Sequence, residues 1–132
     1  MSSETPIAQG AMCIPNISAA GRKRRTRFAI VMAVVATVWI GMAIAMHASP
    51  WMRALAGLFV AAAVATYLQV TRNTCVAHAR AGTIEHDDFS TSLAPKEEND
   101  ASKKVANSIL RDGALAGVFA ALLFWSTAWV MP

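Results

Sequence analysis

Charge is scarce in this chain: 15% of its 132 residues are Asp, Glu, Lys or Arg, and three long stretches carry none. A water-soluble domain of that size does not need an apolar fraction of 55%, so the scarcity excludes an ordinary soluble globule and implies lipid. Acidic residues are absent from all three stretches, which speaks against a transporter, since transporters place charged groups or broken helices at mid-membrane. No Ser-His-Asp set or glycine-rich phosphate loop is present, and with one tyrosine the basic segments lack the interleaved aromatics that stack nucleic-acid bases. Two cysteines are too few for a disulfide scaffold. Internal repeats and low-complexity tracts are absent as well.

What is present is a set of membrane spans. Residues 28–48, 54–71 and 113–132 form charge-free runs of 21, 18 and 20 residues. A helix needs roughly 20 residues to cross about 30 Å of hydrocarbon, and only a helix satisfies its own backbone there. The expected fold is therefore all-α, an integral membrane protein with three transmembrane helices. Orientation follows from the twelve Lys and Arg: five precede the first span, six lie between the second and third, and Arg53 alone occupies the first turn. Basic residues beside spans stay inside, which predicts a cytoplasmic N-terminus and an external C-terminus. A cleaved signal peptide is not expected, because Arg22, Lys23, Arg24, Arg25 and Arg27 begin past residue 20 and Met46-His47-Ala48 is a poor cleavage site. Those five cations are expected at anionic lipid headgroups, and Arg53 is expected to reach its own headgroup layer along its aliphatic stem. The bilayer is thus the first partner, with other membrane subunits or a second copy next, and nucleic acid is not expected.

Four regions result. Residues 1–27 form a cytoplasmic arm with the basic cluster, and 28–82 a helical hairpin turning at His47-Ala48-Ser49-Pro50, whose second helix continues past the membrane to Gly82. An acidic loop spans 83–100, and a helix capped at Asn99 or Asp100 runs through 101–132 into the third span. Small residues suggest packing faces: Ala29, Ala33, Thr37, Gly41 and Ala45 recur every four residues, as do Gly57, Ala61 and Ala65, and Gly113 and Gly117 make a GxxxG step. Whether these faces meet within one chain or between chains is open at this stage.

Candidate chemistry gathers on the cytoplasmic side, where a permanent disulfide is not expected. Cys75 and His78 are three apart, so on a helix they share a face, and with Cys13 they make a candidate metal set that His86 would complete as a zinc site. A reversible thiol pair is the alternative, and inert buried cysteines with no cofactor are the simplest reading. Asn16-Ile17-Ser18 matches a glycosylation triplet, but a cytoplasmic arm never meets the transferase. His47, one turn after Ala43, has the pattern of tetrapyrrole-ligating helices, though a helix-end histidine needs no ligand.

Cys13-Ile14-Pro15-Asn16-Ile17 with Gly21 to Arg25, and Asn73-Thr74-Cys75-Val76 after the second helix, resemble a group of small uncharacterised bacterial inner-membrane proteins carrying two similar cysteine motifs. A more distant similarity is to the inner-membrane domain fused to some rhodaneses. The resemblance implies that Cys13 and Cys75 belong together and brings no activity with it. The function expected from all this is a small non-enzymatic inner-membrane accessory or assembly subunit. The alternative is a membrane-anchored thiol or metal centre.

Overall fold

Backbone amides that enter hydrocarbon must pair within their own segment, and the charge-free runs accordingly become helices. The computed structural model describes residues 16–131. In chain order it contains α1 (Ala19–Ala45), α2 (Pro50–Ala54), α3 (Ala56–Thr71), α4 (Val76–Ala81), β1 (Thr83–Glu85), β2 (Thr91–Leu93) and α5 (Lys96–Val130). Three helical segments are long and apolar enough to cross a membrane: α1, α2 with α3 taken together, and α5. The chain is mostly helical and is a membrane protein by this measure.

Each helix boundary has a local cause. Ser18 caps α1 by accepting from the Gly21 amide at 2.9 Å, so the basic cluster lies inside the helix and not ahead of it. Beyond α1, His47 turns left-handed (φ 50°) and Pro50 opens α2 at the position where its missing N–H is no loss. A three-residue hydrogen bond from the Leu58 amide to the Leu55 carbonyl marks the break between α2 and α3.

Three expectations are corrected here. The second span does not continue as one helix to Gly82: it stops at Thr71, because Asn73 takes the left-handed conformation (φ 49°) that Asn tolerates, and the fully buried Thr74 hydroxyl donates to the Arg72 carbonyl. Gly82 instead ends the short α4. The segment expected as an acidic loop contains an antiparallel hairpin, with Thr83 opposite Leu93, Ile84 opposite Ser92 and Glu85 opposite Thr91. Finally, α5 begins at Lys96, ahead of Asn99, because Pro95 precedes it and Glu97 and Glu98 complement the positive end of the helix.

Lipid offers apolar side chains no reason to leave it, so helices associate where backbones can come close. α3 lies between α1 and α5, which do not pack extensively on one another. Gly57, Ala61 and Ala65 of α3 meet Gly113 and Gly117 of α5 so tightly that a Cβ on Gly117 would lie 2.6 Å from that of Ala61, and one on Gly113 2.8 Å from that of Ala65. α1 turns Ala29, Ala36 and Ala43 inward, a seven-residue repeat, and leaves Ala33, Thr37, Gly41 and Ala45 on the exposed side. Ile30, Val31 and Val34 of α1 and Leu115, Phe119 and Leu122 of α5 are exposed as well, which suits contact with acyl chains.

The ends of the bundle differ chemically. All four tryptophans sit toward the end that holds the α1–α2 turn: the Trp39 indole donates to the Met52 carbonyl at 2.8 Å, Trp51 meets Trp125 edge-on at 4.2 Å, and Trp129 is exposed. Arg53, expected to extend to headgroups, is 1% exposed. Its guanidinium donates to the Ala48 carbonyl (3.0 Å), the Thr127 hydroxyl (3.4 Å) and the Met131 carbonyl (3.1 Å). The last carbonyls of α5 have no helical partner, and a forked cation at a helix C-terminus satisfies them and complements the dipole. At the other end Arg72 caps α3 and binds Ser108 and Asp112 of α5, each at 2.7 Å.

Gly117→Ala should therefore force α3 and α5 apart and cost about 1–3 kcal/mol. Gly41→Ala, where a Cβ meets nothing within 4 Å, should leave stability unchanged or slightly raised. Thermal unfolding of the two variants in detergent compares them directly.

Candidate thiol junction at the basic end

The turn after α3 delivers Cys75 to a meeting point of three segments. Cys75 precedes α4 in an extended conformation (φ −86°, ψ 125°) and is 3% exposed. Its amide donates to the Asn16 side-chain oxygen at 2.6 Å, and its carbonyl accepts from the Asn16 side-chain NH2 at 3.1 Å. One carboxamide thereby pairs with both backbone groups of Cys75, as a neighbouring strand would. The Asn16 carbonyl accepts from the Glu85 amide at 3.1 Å, so the same residue also joins the arm to β1. Asn16, Ile17 and Ser18 are all buried.

Arg25 reaches this point from α1. One terminal nitrogen donates to Glu85 Oε2 at 3.0 Å, and the other to Cys75 Sγ at 3.0 Å. Both partners of the ion pair are largely buried, with side chains 13% and 4% exposed. Burial of such a pair is compensated only when geometry and hydrogen bonding are good, so its contribution is to fix one arrangement more than to add stability. Gly21 makes room for it: a side chain there would collide with the Glu85 carboxylate. Around this core Arg22 donates to Asn73 Oδ1 at 3.0 Å, and Arg24 lies over the Phe89 ring at 5.3 Å. Of the five cations expected at headgroups, then, Arg22, Arg24 and Arg25 also hold the turn and the hairpin, while Lys23 and Arg27 are exposed. In the hairpin turn, the Ser90 hydroxyl and then its amide donate to Asp88, holding that carboxyl below the usual carboxylate range.

The candidate metal ligands do not come together in this way. His78 Nδ1 pairs with the Thr83 hydroxyl at 2.9 Å and His86 Nε2 with the Ser92 hydroxyl at 2.9 Å, while the Cys75 sulfur is turned toward a cation. A guanidinium within hydrogen-bond reach of the sulfur opposes a second cation there. Among the described residues no group of three His, Cys, Asp or Glu is arranged to hold a metal ion. Cys13 lies outside the described residues. His47 occupies the left-handed turn between α1 and α2.

Sequence reasoning missed Asn16 and Glu85. Asn16-Ile17-Ser18 matches a glycosylation triplet by chance, and its role is structural: its serine caps α1 and its asparagine binds the Cys75 backbone. Glu85 had no local signal, because its partners are 60 residues away in α1 and 69 in the arm.

Removing the Asn16 carboxamide leaves the buried Cys75 amide without a partner, while its carbonyl keeps the Ala79 amide, a cost of about 1–3 kcal/mol. In a Cys13→Ser background, Asn16→Ala should speed maleimide labelling of Cys75 by about tenfold or more, since local opening exposes the thiol. Glu85→Gln should shift labelling in the same direction.

Comparison with known proteins adds nothing to this geometry: no family model, no curated protein and no solved structure matches the chain.

Proposed function

We propose that this protein is a small, non-enzymatic accessory or assembly subunit of the bacterial inner membrane, with a cytoplasmic N-terminus and an external C-terminus. It associates through a small-residue helix face with a second copy or with a larger membrane complex. One observation carries the reading: α1 packs on α3 through Ala29, Ala36 and Ala43, while its other small-residue row, with Ala33 and Gly41, is left uncovered. Rows of this kind let a neighbouring helix approach closely. Segregation of the cations at one end and the tryptophans at the other supports the orientation.

Arg25 against the Cys75 sulfur favours a second reading, a membrane-anchored thiol centre formed with Cys13. Free-thiol and metal content of the detergent-purified protein, with and without reductant, separates the two. Two free thiols without metal support the subunit, and a reducible bond or stoichiometric zinc supports the thiol centre.

Bulky residues on the open row should weaken association. Gly41→Leu and Ala33→Leu are expected to lower the association constant in native membranes about tenfold, as a loss near 1.4 kcal/mol implies, and with it the cross-linked fraction. Val31→Leu, elsewhere on the exposed surface, should leave it unchanged. Equal cross-linking in all three variants would overturn the proposal.

A further inference from the structure

Beside the junction, on one flank of the α1–α3 contact, the two helices leave a cleft of about 340 Å³ lined by Arg24, Arg25, Phe28, Thr66 and Gln69. Its depth is interfacial: Phe28 opens the first charge-free run, and Thr66 lies five residues from the end of α3, about 8 Å along the helix.

Thr66 is the unusual member. The hydroxyls of Thr26, Thr37, Thr71 and Thr127 each donate to a carbonyl of their own helix. Thr66, 8% exposed, makes no hydrogen bond among the described residues, and its side chain borders the cleft. No buried side-chain oxygen is without a partner among the described residues, so this hydroxyl stays accessible, and on the cleft wall it is left to donate to a ligand acceptor. Gln69 has its side-chain oxygen occupied by the Val76 amide at 3.3 Å, which leaves its NH2 to donate. The charges are also unequal: Glu85 balances Arg25, whereas Arg24 has no carboxylate partner among the described residues. Cation, hydroxyl and amide donors therefore converge at headgroup depth above an exposed phenyl ring.

We infer that this cleft binds the phosphate of an anionic phospholipid, with Arg24 supplying charge, Thr66 and Gln69 donating to phosphate or ester oxygens, and Phe28 packing on an acyl chain. A charge-assisted hydrogen bond to phosphate is among the stronger polar contacts, and its value rises where water is excluded. The inference rests on the membrane-spanning fold and not on the proposed function, because a lipid site is compatible with either reading.

The test uses the full chain in detergent, with phosphatidylglycerol, phosphatidylcholine or inorganic phosphate added and bound lipid counted by native mass spectrometry. The expected result is retention of phosphatidylglycerol over phosphatidylcholine, with inorganic phosphate neither binding nor displacing it. Arg24→Gln and Thr66→Val should each weaken phosphatidylglycerol retention about tenfold, while Lys103→Gln and Lys104→Gln, exposed cations of α5 outside the cleft, should change it little. Thr66→Val preserves shape, and an unchanged melting temperature in lipid-free detergent confirms that it folds. Equal retention of the two lipids, equal losses in all four variants, or displacement by inorganic phosphate would each overturn the inference.

Discussion

Hydrocarbon supplies no hydrogen bonds, and most of this structure follows from that constraint. Within each span the helix satisfies itself, so the difficulty is confined to the ends, where amides and carbonyls run out of partners. The chain answers end by end: Ser18 on an amide at the start of α1, the Thr74 hydroxyl on the Arg72 carbonyl at the end of α3, and Arg53 on the Met131 carbonyl that follows α5. Arg53 is the most telling of these. A lone arginine beside a short span looks like a cost to be relieved by reaching for water, yet here it is nearly inaccessible, its guanidinium donating to two backbone carbonyls and the Thr127 hydroxyl.

Packing obeys a second consequence of the same solvent. With no hydrophobic force to draw helices together, contact depends on how closely backbones approach, and the α3–α5 seam approaches as far as glycine allows. Within the span α1 meets α3 through buried alanines and Trp39 against Phe59, and the row containing Gly41 stays outside. A central helix flanked by two others makes an open layer, so much of the apolar surface is left to lipid or to another helix.

Beyond the spans, water is available and the architecture changes character. The arm, the turn after α3 and the hairpin meet through Asn16, Arg25 and Glu85, three polar groups buried together. Cys75 is held there by its backbone more than by its sulfur: three of its four described polar contacts use the peptide groups. Placement of Asn16 against the Asn-Thr-Cys-Val segment thus has a physical basis whether or not the sulfur reacts.

The sequence by itself determined the number of spans, their approximate limits, the turn at Pro50 and the small residues of the α3–α5 seam, because these depend on local apolarity and on spacing along one helix. Only the tertiary structure decided which face of α1 is covered, where Arg53 sends its guanidinium, and that Asn16, Arg25, Cys75 and Glu85 converge. Those features join residues far apart in the chain. Their energies come from matching a donor with an acceptor that exists only after folding, so no local pattern encodes them.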